Sequence, residues 1–259
     1  GRFFPKGYIC LEATISDGKI DLDEKFIKAP WVAVNSSFRK ITIKGKPTIN
    51  PPIKELIKYL PFQLQLGAGA SVDSGIPPLH AYHDIYHVSD RKTGRTYFHT
   101  EPNDAMCQYL RNPLKFTKSA TLPYLDIFNA HPNILHKNLK ILKDQGKIVG
   151  PIITSNYDGL PHLLGFEELF VRKLAASHRS EIHDFHPLAK SLLVVGEHAD
   201  RRFIQKSARK KGMKVIYVDP EGFWENGKFH EYILESPQDN DIHYKMSAVN
   251  FGNMLPELF

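Results

Sequence analysis

The stretch of sequence that decides the fold is residues 62–77, which read FQLQLGAGASVDSGIP. Phe62–Leu66 is predicted to form an apolar strand that leads directly into Gly67 and Gly69. Where a parallel strand turns into a helix, backbone N–H groups are exposed, and glycines let a phosphate approach them closely. A plain tight turn explains a glycine pair equally well. The string is more specific than the pair because it continues through Ser71, Ser74, Gly75 and Pro77.

Beyond this stretch, apolar strands alternate with helical segments. The pattern predicts strands at Val149–Ile153, Leu169–Leu174, Ser191–Val195 and Lys214–Val218, and helices mainly within 103–145 and at Asp200–Lys211. This alternation is typical of an α/β protein, and we expect a Rossmann-like parallel sheet with helices on both faces. Residues 1–50 contain the short β-branched and aromatic runs Tyr8–Ile15, Trp31–Asn35 and Lys40–Ile43. These runs predict a small β-rich N-terminal extension, which is followed by one domain of residues 51–259.

The composition restricts the class of protein. The 259-residue chain has a formal net charge of +6 and 42% hydrophobic residues, which suits a large globular domain. Its two cysteines, Cys10 and Cys107, exclude a four-cysteine zinc site, and we expect no metal and a cytoplasmic setting. No apolar run is long enough to predict a membrane span. The basic residues are scattered without interleaved aromatic residues, so no nucleic-acid partner is expected, while a homo-oligomer stays open.

Residues 67–77 resemble the phosphate-binding loop of the sirtuin family, which reads Gly-Ala-Gly-x-Ser-x-x-Ser-Gly-Ile-Pro. Four further strings are similar to family motifs and follow in the family's order: Ala130-His131-Pro132-Asn133 with His136, Thr154 to Leu160, Leu192 to Gly196, and Met254 to Leu258. The resemblance spans roughly residues 62–258 and leaves residues 1–50 outside it. It implies that NAD⁺ binds in an extended form across the carboxyl ends of the strands.

The resemblance also implies roles for single residues. Asn156 would lie beside the nicotinamide ribose, and Asp158 with Tyr157 would hold the carboxamide. A carboxylate can accept hydrogen bonds from the NH₂ group of the carboxamide. An Asx turn after a strand is the alternative for Asn156 and Asp158. Gly196 and Glu197 stand where the family has Gly-Thr and are expected on the adenosine side. The residues that the resemblance assigns to the cofactor loop are Gly67, Ala68, Gly69, Ser71, Ser74, Gly75, Ile76 and Pro77.

Asp219 is a candidate through its position in the chain. It follows the predicted strand Lys214–Val218, and an acidic residue at such a strand end commonly hydrogen-bonds ribose hydroxyls. A helix cap or a turn before Pro220 is the alternative for this residue.

The chain departs from the family at the catalytic histidine. In the family this residue lies in a Leu-His-Gly string, whereas the corresponding string here places Ala175 in the histidine slot. A methyl group cannot act as a general base. Three explanations remain open: a natural loss of the base, an introduced inactivating substitution, or replacement by His178, His183 or His186.

Two further departures bear on the reaction. The segment between Ala175 and Leu192 contains no cysteine, so the zinc module of protein-deacylating sirtuins is missing, and their Phe-Gly-Glu peptide segment has no counterpart. Ser155 replaces a glutamine, as in zinc-free sirtuin-like domains that hydrolyse NAD⁺ or move ADP-ribose. We therefore expect an NAD⁺-consuming enzyme that cleaves the nicotinamide–ribose bond. The alternatives are an NAD⁺-dependent lysine deacylase, a non-catalytic module that binds NAD⁺ or ADP-ribose and, more weakly, a redox dehydrogenase.

Overall fold

A computed structural model describes residues 13–16, 19–22, 45–77, 87–89, 96–98, 113–171, 184–200, 202–225, 227–232, 234 and 236–259. The chain divides into two units, one made of Gly1–Thr42 and Tyr82–Leu122 and the other of Ile43–Ala81 and Pro123–Phe259. The predicted domain boundary at residue 50 stays a prediction.

The secondary structure follows the expected alternation of strands and helices. The strands are β1 (Ala13–Ser16), β2 (Lys19–Leu22), β3 (Thr48–Ile49), β4 (Phe62–Leu66), β5 (His87–Ser89), β6 (Thr96–Phe98), β7 (Ile152–Thr154), β8 (Glu168–Phe170), β9 (Ser191–Val195), β10 (Lys214–Val218), β11 (Gly222–Glu225), β12 (Lys228–Glu231) and β13 (Ile242–Tyr244). The α-helices are α1 (Pro113–Asn129), α2 (Ile134–Asp144), α3 (Ile204–Lys210) and α4 (Ala248–Met254). Short 3₁₀ helices lie at Ile53–Tyr59, Ala68–Ala70, Val72–Ser74, His162–Leu164 and Leu255–Leu258. Within the described ranges, no helix combines the length and the apolar character needed to cross a bilayer.

Two antiparallel hairpins are described in the first unit, β1 with β2 and β5 with β6. The first hairpin overlaps the predicted strand Tyr8–Ile15. The other two runs predicted for the N-terminal extension, Trp31–Asn35 and Lys40–Ile43, lie outside the described residues.

A seven-stranded sheet organises the second unit, in the order β3-β13-β10-β9-β4-β7-β8. Every neighbouring pair in it is parallel. The chain runs outward from β4 through β7 to β8, then returns to the other side of β4 and continues through β9, β10 and β13. Without the edge strand β3, this is the strand order of the doubly wound dinucleotide-binding fold, with its topological switch point between β4 and β9. The predicted Rossmann-like parallel sheet is confirmed.

Side chains of the central strands alternate between two apolar cores, as the two-residue period of a strand requires. On β9, Leu193 and Val195 belong to one core, while Leu192 and Val194 belong to the other. Helix α2 packs its apolar face on the first core through Leu135, Leu139 and Leu142, and α4 adds Phe251. Helix α3 covers the second core through Ile204 and Ala208. Helices therefore cover both faces of the sheet, as predicted.

Local backbone geometry moves several element boundaries from their predicted places. Strand β7 begins at Ile152 rather than Val149 because Gly150 has φ 72° and turns the chain. Helix α3 begins at Ile204 rather than Asp200 because Phe203 has φ 57°. The Asp200 carboxylate instead accepts the backbone N–H of Lys206 at 2.8 Å and so stabilises the start of the helix. Thr48–Ile49, within the segment assigned to the N-terminal extension, forms the edge strand β3.

A polar network lies buried on the second face of the sheet. Gln205 donates to Gln65 at 3.3 Å and accepts the Tyr217 hydroxyl at 3.0 Å. Arg209 donates to the Tyr217 oxygen and forms an ion pair with Asp241 at 2.6 Å. Burial raises the pKa of Tyr217, so its hydroxyl stays protonated and donates. The network satisfies polar groups from β4, α3 and β10 and fixes how these elements pack.

We expect Asp241→Asn to lower the free energy of unfolding by about 2–3 kcal/mol, because it leaves the guanidinium of Arg209, only 24% exposed, without its countercharge. Urea unfolding measures the change. Asp144→Asn is the matched control, since Asp144 pairs with Lys140 at the surface and should lose less than about 0.5 kcal/mol. Equal losses in the two variants would contradict the role assigned to the buried pair.

Candidate functional site

The candidate site lies at the carboxyl edge of the sheet, where the loops after β4 and β9 meet at the switch point. Gly67 N–H donates to Val195 O at 2.9 Å, and Gly69 N–H donates to Gly196 O at 3.0 Å. In open α/β sheets, ligands bind in the crevice at this point. The sequence therefore brings its glycine loop to the place where the fold binds ligands.

Three glycines let the two loops touch backbone to backbone. A Cβ on Gly69 would lie 2.6 Å from Gly196 Cα, and a Cβ on Gly196 would lie 2.4 Å from Gly69 Cα. Gly196 also has φ 64°, a conformation that favours glycine. A Cβ on Gly67 would lie 2.4 Å from the Gly196 carbonyl oxygen. These glycines are thus required by the contact between loops, a role that the sequence analysis did not assign to them.

The loop after β7 is tied to the glycine loop by side-chain hydrogen bonds. Asn156 Nδ2 donates to Gly67 O at 2.9 Å, and Thr154 Oγ1 donates to Leu66 O at 2.8 Å. Thr154 Oγ1 also accepts the backbone N–H of Asn156 at 3.0 Å, which orients the turn. The structure thus brings Asn156 to the carboxyl end of β4. Thr154 is the residue that makes this possible, and the sequence analysis included it only as the first residue of the family-like string Thr154 to Leu160.

Asp158 is held against the same loop by Ser71. The buried Ser71 hydroxyl donates to Asp158 Oδ2 at 2.7 Å, and Leu160 N–H donates to Asp158 Oδ1 at 3.0 Å. The second bond is the Asx turn that the sequence analysis kept as an alternative. Both carboxylate oxygens retain capacity to accept another donor, because each has two lone pairs. Tyr157, between the two polar residues, is 59% exposed, and its ring lies 5.1 Å from that of Phe170.

Helix α2 begins beside the glycine loop. Asn133 caps the helix by accepting His136 N–H at 3.4 Å, and its Nδ2 donates to Ala70 O at 2.9 Å. His136 Nδ1 accepts the backbone N–H of Asn133 at 3.3 Å. His136 is fully buried, and its Nε2 has no hydrogen-bond partner among the described residues. Burial lowers its pKa to about 4, partly opposed by the charge of Asp158, so the ring is neutral at neutral pH.

The second half of the glycine loop is more open. Gly75 has φ 95° and ends the short helix Val72–Ser74, and a Cβ there would meet nothing within 4 Å. The hydroxyl of Ser74 is buried without a hydrogen-bond partner in the described part of the chain. Ile76 N–H closes the turn on Ser71 O at 3.4 Å, and Pro77 is the last described residue of the loop. Ala68 begins the first short helix, Ala68–Ala70.

Glu197 lies against the first glycine. The site that a Cβ would occupy on Gly67 is 2.5 Å from Glu197 Oε2. The carboxylate therefore occupies space beside the loop that the sequence analysis assigned to a phosphate. Gly196 and Glu197 are thus brought to the switch point, as expected for residues that follow β9.

Asp219 is buried and bonded within the protein. Its Oδ1 accepts Glu221 N–H at 2.7 Å and the Tyr232 hydroxyl at 2.9 Å, while Oδ2 accepts the same hydroxyl at 3.1 Å. Burial raises its pKa, and these hydrogen bonds together with His198 and His243 oppose that rise. This geometry is the turn that the sequence analysis kept as an alternative. A ribose contact by this 2% exposed residue stays a prediction.

The residues proposed around the missing base fall into two groups. Ala175, His178 and His183 lie outside the described residues. His186 is described, and its backbone N–H donates to Gln63 Oε1 at 2.8 Å near the amino end of β4. It is therefore at the opposite edge of the sheet from Asn156, and the interpretation of His186 as a replacement base is wrong. The described residues contain no group of three or more His, Cys, Asp or Glu side chains arranged to hold a metal ion.

The backbone contact between the two loops predicts that Gly196 does not tolerate a side chain. Gly196→Ala and Gly212→Ala both place alanine at positive φ, 64° and 75°, which costs about 1–2 kcal/mol. Only the Gly196 variant also meets backbone atoms, since a Cβ on Gly212 has nothing within 4 Å. In urea unfolding, the free energy of unfolding should fall by at least about 2 kcal/mol more for Gly196→Ala than for Gly212→Ala. Gly69→Ala should resemble it, and equal losses at 196 and 212 would rule out the tight loop contact.

The buried His136 is expected to make the stability of the fold depend on pH. Its pKa is about 4 in the folded chain against an ordinary 6.5, so the unfolded chain binds the proton first as the pH falls. The stability linked to His136 is complete above about pH 6.5 and is lost progressively between about pH 6.5 and pH 4. Between pH 7.5 and pH 5, the wild type should lose about 2 kcal/mol more free energy of unfolding than His136→Gln. Parallel pH profiles for the two proteins would contradict this assignment.

Comparison with known proteins agrees with this geometry. Residues 67–183 match the sequence profile described as the Sir2 family. A search of curated protein sequences found no match. The fold is similar to a Sir2 homologue solved with NAD, at 15% identity over 83% of this chain and 96% of that one, with a TM-score of 0.55.

Two further solved structures share the fold. One is a Sir2 homologue variant in complex with 2′-O-acetyl ADP ribose, at 16% identity over 81% of this chain and 96% of that one, with a TM-score of 0.54. The other is Sir2 bound to an acetylated peptide, at 16% identity over 79% of this chain and 96% of that one, with a TM-score of 0.51. The matched segment begins at the glycine loop, and the sheet is the one these structures share. Residues 67–183 are therefore similar to the Sir2, or sirtuin, family, and the fold is the one that its solved structures have.

Proposed function

We propose that the chain binds NAD⁺ across the carboxyl edge of the sheet and cleaves its nicotinamide–ribose bond, passing ADP-ribose to water or to an acceptor. One observation carries this proposal. Asn156 and Asp158 are fixed to the glycine loop through Gly67 O and Ser71 Oγ, at 2.9 Å and 2.7 Å. An amide and a carboxylate are thereby held beside a turn suited to a phosphate, in the crevice where this fold binds dinucleotides.

The glycine loop fits a pyrophosphate through neutral donors. Residues 67–77 contain no lysine or arginine, so backbone N–H groups and hydroxyls are the available donors. The Ser74 hydroxyl, buried without a described partner, is such a donor. The Glu197 carboxylate has to leave its position against Gly67 before a phosphate approaches there, because like charges repel strongly at short range.

The roles proposed for Asn156 and Asp158, in the loop after β7, follow from which of their side-chain atoms already form hydrogen bonds within the protein. Asn156 uses Nδ2 on Gly67 O, so its carbonyl oxygen is the atom that faces the nicotinamide ribose, where it stabilises positive charge developing at the anomeric carbon. Asp158 keeps lone pairs to accept the carboxamide NH₂. When the C–N bond breaks, its electron pair leaves with nicotinamide, and an oxygen of water or of an acceptor bonds to the same carbon and loses its proton.

The residue at position 175 decides how much of this reaction the chain performs. Alanine cannot take the proton from the attacking oxygen. Ala175 is therefore the observation that favours the second candidate function, binding of NAD⁺ or ADP-ribose without turnover. Lysine deacylation, which one neighbour's bound acetylated peptide suggests for that protein, is distinguished from both by its need for a peptide.

Release of nicotinamide tests these functions. Ala175→His should release nicotinamide from NAD⁺ alone, and faster than the chain with alanine. Adding Asn156→Ala to Ala175→His should lower turnover by about 100-fold or more while the NAD⁺ dissociation constant changes less than about threefold. Asn129→Ala, which removes an exposed asparagine of α1, should change neither value.

Each other outcome points to a different function. Release that depends on an acetylated peptide identifies a deacylase. Binding without release in both proteins identifies a binding module. Turnover that survives Asn156→Ala removes Asn156 from the mechanism, and absence of NAD⁺ binding by calorimetry refutes the proposal as a whole.

A further inference from the structure

Along the chain, β10 and β13 are connected by a hairpin that carries aromatic residues. Strands β11 and β12 pair antiparallel with Trp224 opposite Phe229. The two rings lie 5.4 Å apart with an interplanar angle of 56°, and Trp224 is 71% exposed. Phe229 supports one side of the indole, which leaves a large aromatic surface towards solvent. Tryptophan is enriched at binding interfaces because its large ring offers contact area at little entropic cost.

The base of the hairpin is fixed to the carboxyl edge of the sheet. The Tyr232 hydroxyl donates to Asp219 at the end of β10, and Tyr232 N–H donates to Glu221 O at 3.0 Å. Glu221 forms an ion pair with Lys245, after β13, at 2.8 Å. Because both ends are tied, Trp224 extends from a rigid support. It is two residues beyond Gly222, or about 7 Å along the strand.

The hairpin base also touches the loop at the switch point. The ring of Tyr232 meets the ring of His198 edge to face, with centroids 4.5 Å apart. His198 directly follows Gly196 and Glu197, which contact the glycine loop. The base of the hairpin therefore lies at the carboxyl ends of β9 and β10, on the opposite side of β4 from Asn156.

We propose that Trp224, supported by Phe229, stacks on the purine base of the bound nucleotide. This inference rests on the proposed function, which places the pyridine-bearing half of NAD⁺ at Asn156 and so directs the other half over β9 and β10. An exposed indole at this edge offers a flat surface to a base, and such stacking tolerates any purine. The buried carboxylate of Asp219 then acts through Tyr232 by holding the hairpin in place.

Tryptophan fluorescence tests the contact directly. The chain has two tryptophans, Trp31 and Trp224, so Trp31→Phe leaves Trp224 as the only indole. Titration with ADP-ribose should quench its emission, and titration with nicotinamide mononucleotide, which lacks the purine, should not. Quenching by neither ligand, although calorimetry detects ADP-ribose binding, overturns the stacking proposal.

Calorimetry on the full chain gives a second, independent measurement. Trp224→Ala should weaken ADP-ribose binding about tenfold and leave nicotinamide mononucleotide binding unchanged, while Trp224→Phe should recover most of the loss. Tyr124→Ala removes a similarly exposed aromatic ring from α1 and should change neither affinity.

The remaining outcomes separate this proposal from the proposed function. An unchanged affinity of Trp224→Ala for ADP-ribose overturns the stacking while the proposed function stands. The stacking is also overturned, while the proposed function stands, if Trp224→Ala changes only self-association in sedimentation, or if it weakens the binding of ADP-ribose and of nicotinamide mononucleotide equally. If the wild-type chain itself binds no ADP-ribose, the proposed function fails, and the purine contact fails with it.

Discussion

The contact between the backbones at Gly69 and Gly196 is the constraint on which the site depends. It requires that neither residue carries a side chain, because a Cβ on either would lie within 2.6 Å of the other's Cα. It closes the switch point between β4 and β9 and fixes the path of the glycine loop. Asn156, Asp158 and Asn133 then bond to that loop from two other segments of the chain. The site is thus a consequence of close packing between two loops rather than of one motif.

The sequence predicted those features that follow from local pattern. Strand β4 was predicted at its observed bounds because a run rich in apolar residues is followed at once by glycine, and β9 and β10 were predicted at theirs because each is an apolar run, which ends at Gly196 and at Asp219 respectively. The start of α3 was misplaced because Phe203 adopts a left-handed conformation that its residue type does not indicate. The partners of Asp219 were missed because Tyr232 meets it only after the chain has formed a hairpin.

The charge around the site differs from what the composition suggests. The chain has a net charge of +6, yet residues 67–77 and 154–160 contain two aspartates and no lysine or arginine. The neutral His136 and the buried Asp219 are held in place through hydrogen bonds to the backbone and to hydroxyls. Under the proposed function, an anion bound here would be held by the oriented N–H groups of residues 67–77, which contain no cation, so its binding would depend on loop geometry and less on ionic strength.

The short edge strand β3 has a consequence for how the protein is made. Thr48 pairs with Ile242, so the first strand of the sheet along the chain pairs with the last one. During synthesis, the amino-terminal part leaves the ribosome long before its partner exists, and β4 similarly waits for β9. Domains generally fold as units during translation, and distant pairings form slowly. The sheet is therefore complete only after β13 has been synthesised, which leaves β3 without its neighbouring strand while all the others are made.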